Sequence, residues 1–449
     1  NTYSGLTTVN GGTLTLNGSL SNSSVTVANG ATFTENASGV IAGTNVAFTT
    51  YGTATLNGTN TYGGVTTVGT NGTPNIVLTV NNNMALGSTA AGTLVNGGSA
   101  STESRLVLGN GVMVSDETLT LGPGLSGNRA ALRYTLGSGS GTWNGNIVLA
   151  GTATYLGSDT PGGTLIVGLS ADRTITTTSS AGFSVRGAGD VTINSRISIG
   201  ATAINRDDPG TFTLNSTSNT LLNMNLAQGT LKLGVSDALP ATTILSIGKY
   251  SGINNQATFD LNGKSQTVAS LSELHMLSSN GFQRITSAAP ATLIVSNSAA
   301  NTFGTEGSTI TGAVSLVKMG TGTLTLTGTN TTYGGFTVSN GSLVVSSTGT
   351  LGVNSTNITV AAGTLLLSNS VSIANNAMVR IANGGGAKVS LAAGVNEAVG
   401  SLYFDNTQKS AGTYGATGSG AGTINDEHFA GSGILTVLHG KGGTLLRVL

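Results

Sequence analysis

A strand phrase written again and again restricts this chain more than any other feature. It reads TLTLNG (Thr13–Gly18), TATLNG (Thr53–Gly58), TFTLNS (Thr211–Ser216), TFDLNG (Thr258–Gly263) and TLTLTG (Thr323–Gly328). In an extended strand successive side chains point to opposite faces, so Leu or Phe takes one face and Thr or Asp the other. Asn and Gly then end the strand with a turn. Helix is disfavoured almost everywhere, because Gly (69 of 449 residues) and Asn interrupt nearly every stretch long enough to form one. The exception is VASLSELHML (Val268–Leu277), which is predicted to form one short helical turn. Hydrophobic residues make up 38% of the chain, enough to build a core rather than a disordered tract. No apolar run approaches the ~20 residues of a membrane-spanning helix.

Alternating strands with Asn-Gly turns fit two architectures. Antiparallel hairpins would use Asn-Gly as a type I′ turn, whereas a parallel solenoid would use it at corners. The strands recur along the whole chain, and similar phrases return at coil-like intervals. An open-ended stack of coils accommodates that pattern and a single closed sandwich or barrel does not. The expectation is an all-β, elongated parallel β-helix (β-solenoid), with about 22 coils if each takes ~20 residues. Residues 1–400 form the repeat body and 401–449 a closing segment continuous with it.

The stretch GTGTLTLTGTNTTYGGFTVSNGSLVVSS (Gly320–Ser347) resembles the autotransporter-associated β-strand repeat of passenger regions in large exported bacterial proteins. Asn1–Leu16 and Gly52–Val68 are similar to the same pattern. Ser401–Val437 is similar to the closing segment of such chains. The resemblance implies a right-handed parallel β-helix, export, and a role at the bacterial cell surface or outside the cell. It covers four stretches and is degenerate elsewhere. The chain departs from the family pattern in ending on GKGGTLLRVL, too short for a membrane barrel.

Charge and cysteine content narrow the function classes. Seventeen basic and seventeen acidic residues give zero net charge, and no basic run exists, so the electrostatic footprint of a nucleic-acid binder is missing. Without cysteine there is no disulfide framework and no thiolate metal site. The acidic clusters read as turns. Asp207 and Asp208, between Arg206 and Pro209-Gly210, form a strong turn signal, without evident partner carboxylates on neighbouring coils. Asp426, Glu427 and His428 read as a polar cap or turn, because His275 and His439 show no ligand spacing to them. Asp116 and Glu117 read as a turn before a strand. Gly137–Gly145 lacks the Lys and helix of a phosphate cradle, and the sequons at Asn57 and Asn330 follow from the repeat itself. Tyr3, Tyr62 and Tyr333 occupy equivalent turn positions, each expected to cover a corner of its own coil. The alternative is an exposed aromatic row that stacks on sugars.

The expectation is therefore a non-enzymatic, extracellular structural protein, a surface stalk or filament subunit, with no cofactor, no metal and no membrane span. A glycan-binding adhesin passenger is the alternative, and a β-helix polysaccharide lyase or hydrolase the next. The chain opens inside a repeat, at Asn1-Thr2-Tyr3, and Gly442–Leu449 has the pattern of the strand that would precede it. Neither end shows a charged or Pro-rich cap. Self-association is thus expected head to tail, with Asn1, Thr2, Tyr3 and Leu6 of one subunit completed by Thr444, Leu445, Leu446, Val448 and Leu449 of the next.

Overall fold

The computed structural model describes residues 3–70, 75–123, 127–178, 180, 182–248, 256–273, 283–305, 307–352 and 354–444. Every regular element among them is a β-strand. No helix of the described residues is long and apolar enough to cross a membrane. The polypeptide forms two compact units, Asn1–Met224 and Asn225–Leu449, and the closing segment lies within the second.

In the first unit each turn of chain adds one strand to the same sheet as the turn before. One sheet runs Thr7–Val9, Val25–Val27, Phe48–Thr50, Thr66–Val68, Thr93–Val95, Leu119–Leu121, Ile147–Leu149, Thr174–Thr177 and Arg196–Ser198, all parallel. The next strand of each turn enters a second parallel sheet, from Thr13–Leu16 through Arg129–Tyr134 to Ala203–Arg206. The pair Asn17-Gly18 joins Thr13–Leu16 to Ser19–Ser21, which lie in different sheets. A hairpin would keep both strands in one sheet, so the Asn-Gly pair is a solenoid corner.

The second unit repeats the scheme. Leu324, Leu343, Leu365, Val389 and Phe429 are successive register partners, and all five are buried. Burying one such side chain contributes roughly 1.5–3 kcal/mol, so the inward column is the principal source of stability. Outward, Thr8, Thr26, Thr49 and Thr67 of the first unit stand in register as an uncharged ladder.

Coil length is where the sequence expectation fails. Thr7 meets its partner one turn later at Val25, but the chain leaving Ile147 runs much further before it returns at Ile175. The chain makes about 16 turns rather than about 22, because six-residue strands and corner loops lengthen the middle coils. The helical expectation also fails. Gln266–Val268 and Ser270–Glu273 are strands, while residues 274–277 lie outside the described residues.

Buried asparagines tie consecutive coils together. Asn60 Oδ1 accepts from the Ile41 amide at 2.6 Å, and its Nδ2 donates to the Ala85 carbonyl at 2.8 Å. Asn330 does the same between Ile310 (2.7 Å) and Thr350 (2.6 Å). Its sequon is therefore closed to glycosylation. The closing segment changes strand direction. Thr407–Gln408 lies antiparallel on Ser401–Phe404, and Gly412–Gly415 antiparallel on Ile434–Val437. The His428 ring stacks on Phe404 at 3.8 Å, with Phe429 and Lys409 also against Phe404. The closing segment thus adds antiparallel strands at two sheets and packs an aromatic cluster beside them.

Candidate functional site

Charge is distributed unevenly. Glu35 is the sole Asp, Glu, Lys or Arg before Glu103, whereas fifteen such residues stand from Glu103 through Asp208. The strands Glu103–Leu108, Arg129–Tyr134, Ala153–Ser158 and Phe183–Arg186 are consecutive in one sheet. Their register aligns Val107, Arg133, Gly157 and Arg186 in one row, and Arg105, Ala131 and Tyr155 in the next. Small residues at Ala131 and Gly157 leave a hollow that the long side chains line.

Arg133 lies across this hollow, 7% exposed. Its Nε and Nη2 donate to the two Glu103 oxygens at 2.9 and 2.8 Å, and Nη1 lies 3.4 Å from Asp159 Oδ1. Burial opposes the charge of Arg133, but Glu103 and Asp159 outweigh it and hold the guanidinium protonated. A Cβ on Gly157 would collide with Arg133 Nη1 and with the Arg186 carbonyl, so that position must be glycine. Burial pushes the Asp159 carboxyl up, against the pull of Arg133. Arg186 pairs with Asp207 at 3.0 Å and with Asp208 at 3.9 Å. The guanidinium carbons of Arg129, Arg133 and Arg186 lie 5.9, 6.0 and 5.3 Å from the centre of the Tyr155 ring.

Asp207 and Asp208 do stand in a turn, as the sequence predicts. Asp208 accepts from the Gly187 amide at 2.9 Å, and buried Arg206 donates to the carbonyls of Val185, Gly187 and Pro209. Burial lowers Arg206 to about 10. The expectation that no partner carboxylates stand on neighbouring coils is overturned for Asp208, since Glu103 and Asp159 line the same groove. The sequence reading missed Glu103, Arg105, Arg129, Arg133, Tyr155, Asp159 and Arg186. A legible signal existed: Arg105, Arg133, Asp159, Arg186 and Asp208 follow one another at about the interval that separates the coil partners Ile147 and Ile175.

The other candidates separate. Tyr62 is fully buried and its hydroxyl meets Thr66 Oγ1 at 2.6 Å, whereas Tyr333 is 57% exposed and Tyr3 50%. Tyr333 departs from Tyr62 because TNTTYGG carries one more Thr than TNTYGG. Thr332 takes the inward place in Thr331–Thr332 that Tyr62 takes in Thr61–Tyr62. No aligned row of these three rings forms.

His428 Nδ1 meets Asn425 Oδ1 at 3.1 Å and Nε2 meets Asn383 Oδ1 at 2.9 Å, with burial lowering its pKa. Asp426 accepts from the Thr417 hydroxyl and amide at 2.6 and 2.7 Å, which holds its carboxyl low, and Glu427 is exposed. Asp116 is a turn residue at φ 62° that pairs with Arg173. Glu117, read with it as a turn, is instead buried against the Thr93 hydroxyl. His275 lies outside the described residues. Of the terminal residues, Tyr3 and Leu6 are exposed, Thr444 pairs antiparallel with His439, and Asn1, Thr2, Leu445, Leu446, Val448 and Leu449 lie outside the described residues.

No curated protein and no solved structure matches this chain. The family described as passenger-associated-transport-repeat matches residues 1–16 and 316–345, in two of the four stretches that carry the resemblance. Both stretches fold as the expected rungs: Thr13–Leu16 and Thr323–Leu326 are parallel strands followed by solenoid corners. The chain is a parallel β-solenoid that carries passenger-associated-transport repeats.

Proposed function

We propose that this chain is a structural passenger body of a bacterial surface or secreted protein, a stalk without catalysis of its own. The observation that carries the reading is the pair of passenger-associated-transport repeats, each folded into parallel rungs of the solenoid. Coils that bond only to their neighbours, with uncharged ladders outside, suit a part whose task is to hold distance rather than to turn over substrate. The carboxylates of the charged groove favour the same view. A glycosidase pair must be free to gain and lose protons. Here Arg133 grips Glu103 with two nitrogens, and Arg186 holds Asp207 and Asp208. On intact cells of the source bacterium, an added protease that cannot enter should remove the chain. Full protection until the cells are broken would overturn the surface placement.

Head-to-tail growth through residues 1–6 and 444–449 is the finer form of this proposal. Gly443–Thr444 already pairs with His439–Gly440, so donation requires that small pairing to open. Sedimentation of the purified chain should show concentration-dependent assembly that deletion of Gly442–Leu449 abolishes. Assembly by the truncated chain, or a monomer at all concentrations, rejects strand donation.

A further inference from the structure

The groove around Tyr155 consists of two adjoining hollows with different charge. The first, about 320 Å³, is lined by Arg105, Arg129 and Arg133 against the single carboxylate of Glu103. The second, about 240 Å³, is lined by Tyr155, Asp159, Arg186 and Asp208 and shares Glu103, Arg129 and Arg133 with the first. The arginines of the first hollow thus outnumber its carboxylates by two, while the second is balanced.

Two donors here are unspent. Arg133 Nη1 is buried and, although it faces Asp159, has no hydrogen-bond acceptor, and Arg186 Nε is buried without one as well. Arg129, among the described residues, makes no ion pair; its Nη1 donates to the Ser101 carbonyl at 3.1 Å. A half-buried tyrosine ring with three guanidiniums around it offers a flat apolar platform edged by N–H donors. Arginine forks match the planar geometry of carboxylate and the oxygens of sulfate. Asp159 and Asp208 supply acceptors for hydroxyl groups.

We propose that this groove binds an acidic oligosaccharide. Its anionic group, a carboxylate or a sulfate ester, enters the arginine-rich hollow at Arg129 and Arg133. The adjoining sugar ring lies on Tyr155 and donates hydroxyl hydrogens to Asp159 and Asp208. A neutral sugar leaves Arg129, the one groove arginine without an ion pair among the described residues, unanswered. A simple inorganic anion leaves the tyrosine platform and the carboxylates unused. This goes beyond the structural reading, which stands whether or not the groove is occupied.

The test is a calorimetric titration of the whole chain at low salt with three probes: a galacturonic acid trimer, a sulfated galactose trimer and a neutral galactose trimer. At least one anionic trimer should bind, the neutral one should not, and raised salt should weaken the complex. Arg129→Gln should weaken binding at least about tenfold, the scale of one lost charge-assisted hydrogen bond. Because Arg129 has no carboxylate partner among the described residues, that change strands no buried charge. Tyr155→Ala should weaken binding comparably, and Tyr155→Phe should retain it. Circular dichroism of each variant checks the fold, and the Tyr155→Phe and Arg129→Gln pair keeps the test decisive if Tyr155→Ala misfolds. The proposal is overturned if neither anionic trimer binds, if the neutral trimer binds equally, or if Arg129→Gln changes nothing. Uronate binding alone identifies the anion as a carboxylate; sulfate binding alone identifies it as a sulfate ester.

Discussion

Glu117 shows what a single side chain costs when a solenoid buries it. Its carboxyl is 2% exposed beside the Thr93 hydroxyl, and burial pushes its pKa up from 4.5 to about 7. Glu35, buried in the same unit, is raised for the same reason. A folded-state pKa above the unfolded one means that the native chain binds the extra proton. The stabilisation is complete below pH 4.5 and is lost as the pH rises through about 7. Across that window Glu117 accounts for about 3 kcal/mol, because unequal proton binding changes stability by about 1.36 kcal/mol per pH unit. Glu117→Gln should therefore melt higher than the parent at pH 8 and no higher at pH 4. Thermal unfolding at the two pH values reads the difference, and equal melting points at pH 8 would count against a strained carboxylate. The sequence carries no warning of this burial, since Asp116-Glu117 reads as an exposed turn. Asp116 does turn outward at positive φ, and the period of two then carries Glu117 inside. The same parity decides Tyr62 against Tyr333, where one added Thr exchanges inside for outside.

At the scale of a coil, the asparagine of the repeat does more than end a strand. Asn330 satisfies a buried amide of the preceding coil and a part-buried carbonyl of the following one. Asn330→Ala would orphan both groups at about 1–3 kcal/mol each. The expected loss is about 3 kcal/mol in denaturant unfolding, whereas Asn57→Ala, at a half-buried corner, should cost about 1 kcal/mol. Comparable losses at the two positions would remove the distinction. Strand identity was legible because inward Leu alternates with outward Thr inside each short phrase, for instance Leu324 and Leu326 with Thr323 and Thr325. Coil length was not legible, because a corner can hold two residues or a long loop without disturbing the ladder. The charged groove was legible only as a recurring interval of charged residues, for a related reason. Glu103, Arg133 and Asp159 meet only once Val107, Arg133 and Gly157 are known to share a row, and that register depends on the intervening loop lengths.

For the molecule as a whole, a stack of coils makes a demand that no closed fold makes: chain can be removed, but only in whole turns. In the second unit Ser342 pairs with Thr364 one turn later, and Phe336 reaches Val379 through Ile358. Deleting residues 342–363 therefore brings Thr364–Leu367 onto Thr323–Leu326 with Leu365 over Leu324, and Met378–Ile381 onto Phe336–Val338. Every inward position again meets an inward position, and the column of buried side chains closes. Deleting residues 342–352 removes half a turn instead. It sets corners against strands and leaves backbone donors unpaired in the interior, at a cost no local repacking offsets. The whole-turn variant should stay soluble, keep the β-type circular dichroism of the parent and unfold cooperatively. The half-turn variant should aggregate or lose its cooperative transition. A closed sandwich or barrel would be broken by both deletions, so equal damage from the two would reject the solenoid. Survival of the whole-turn variant alone is the signature of coils that bond only to their neighbours.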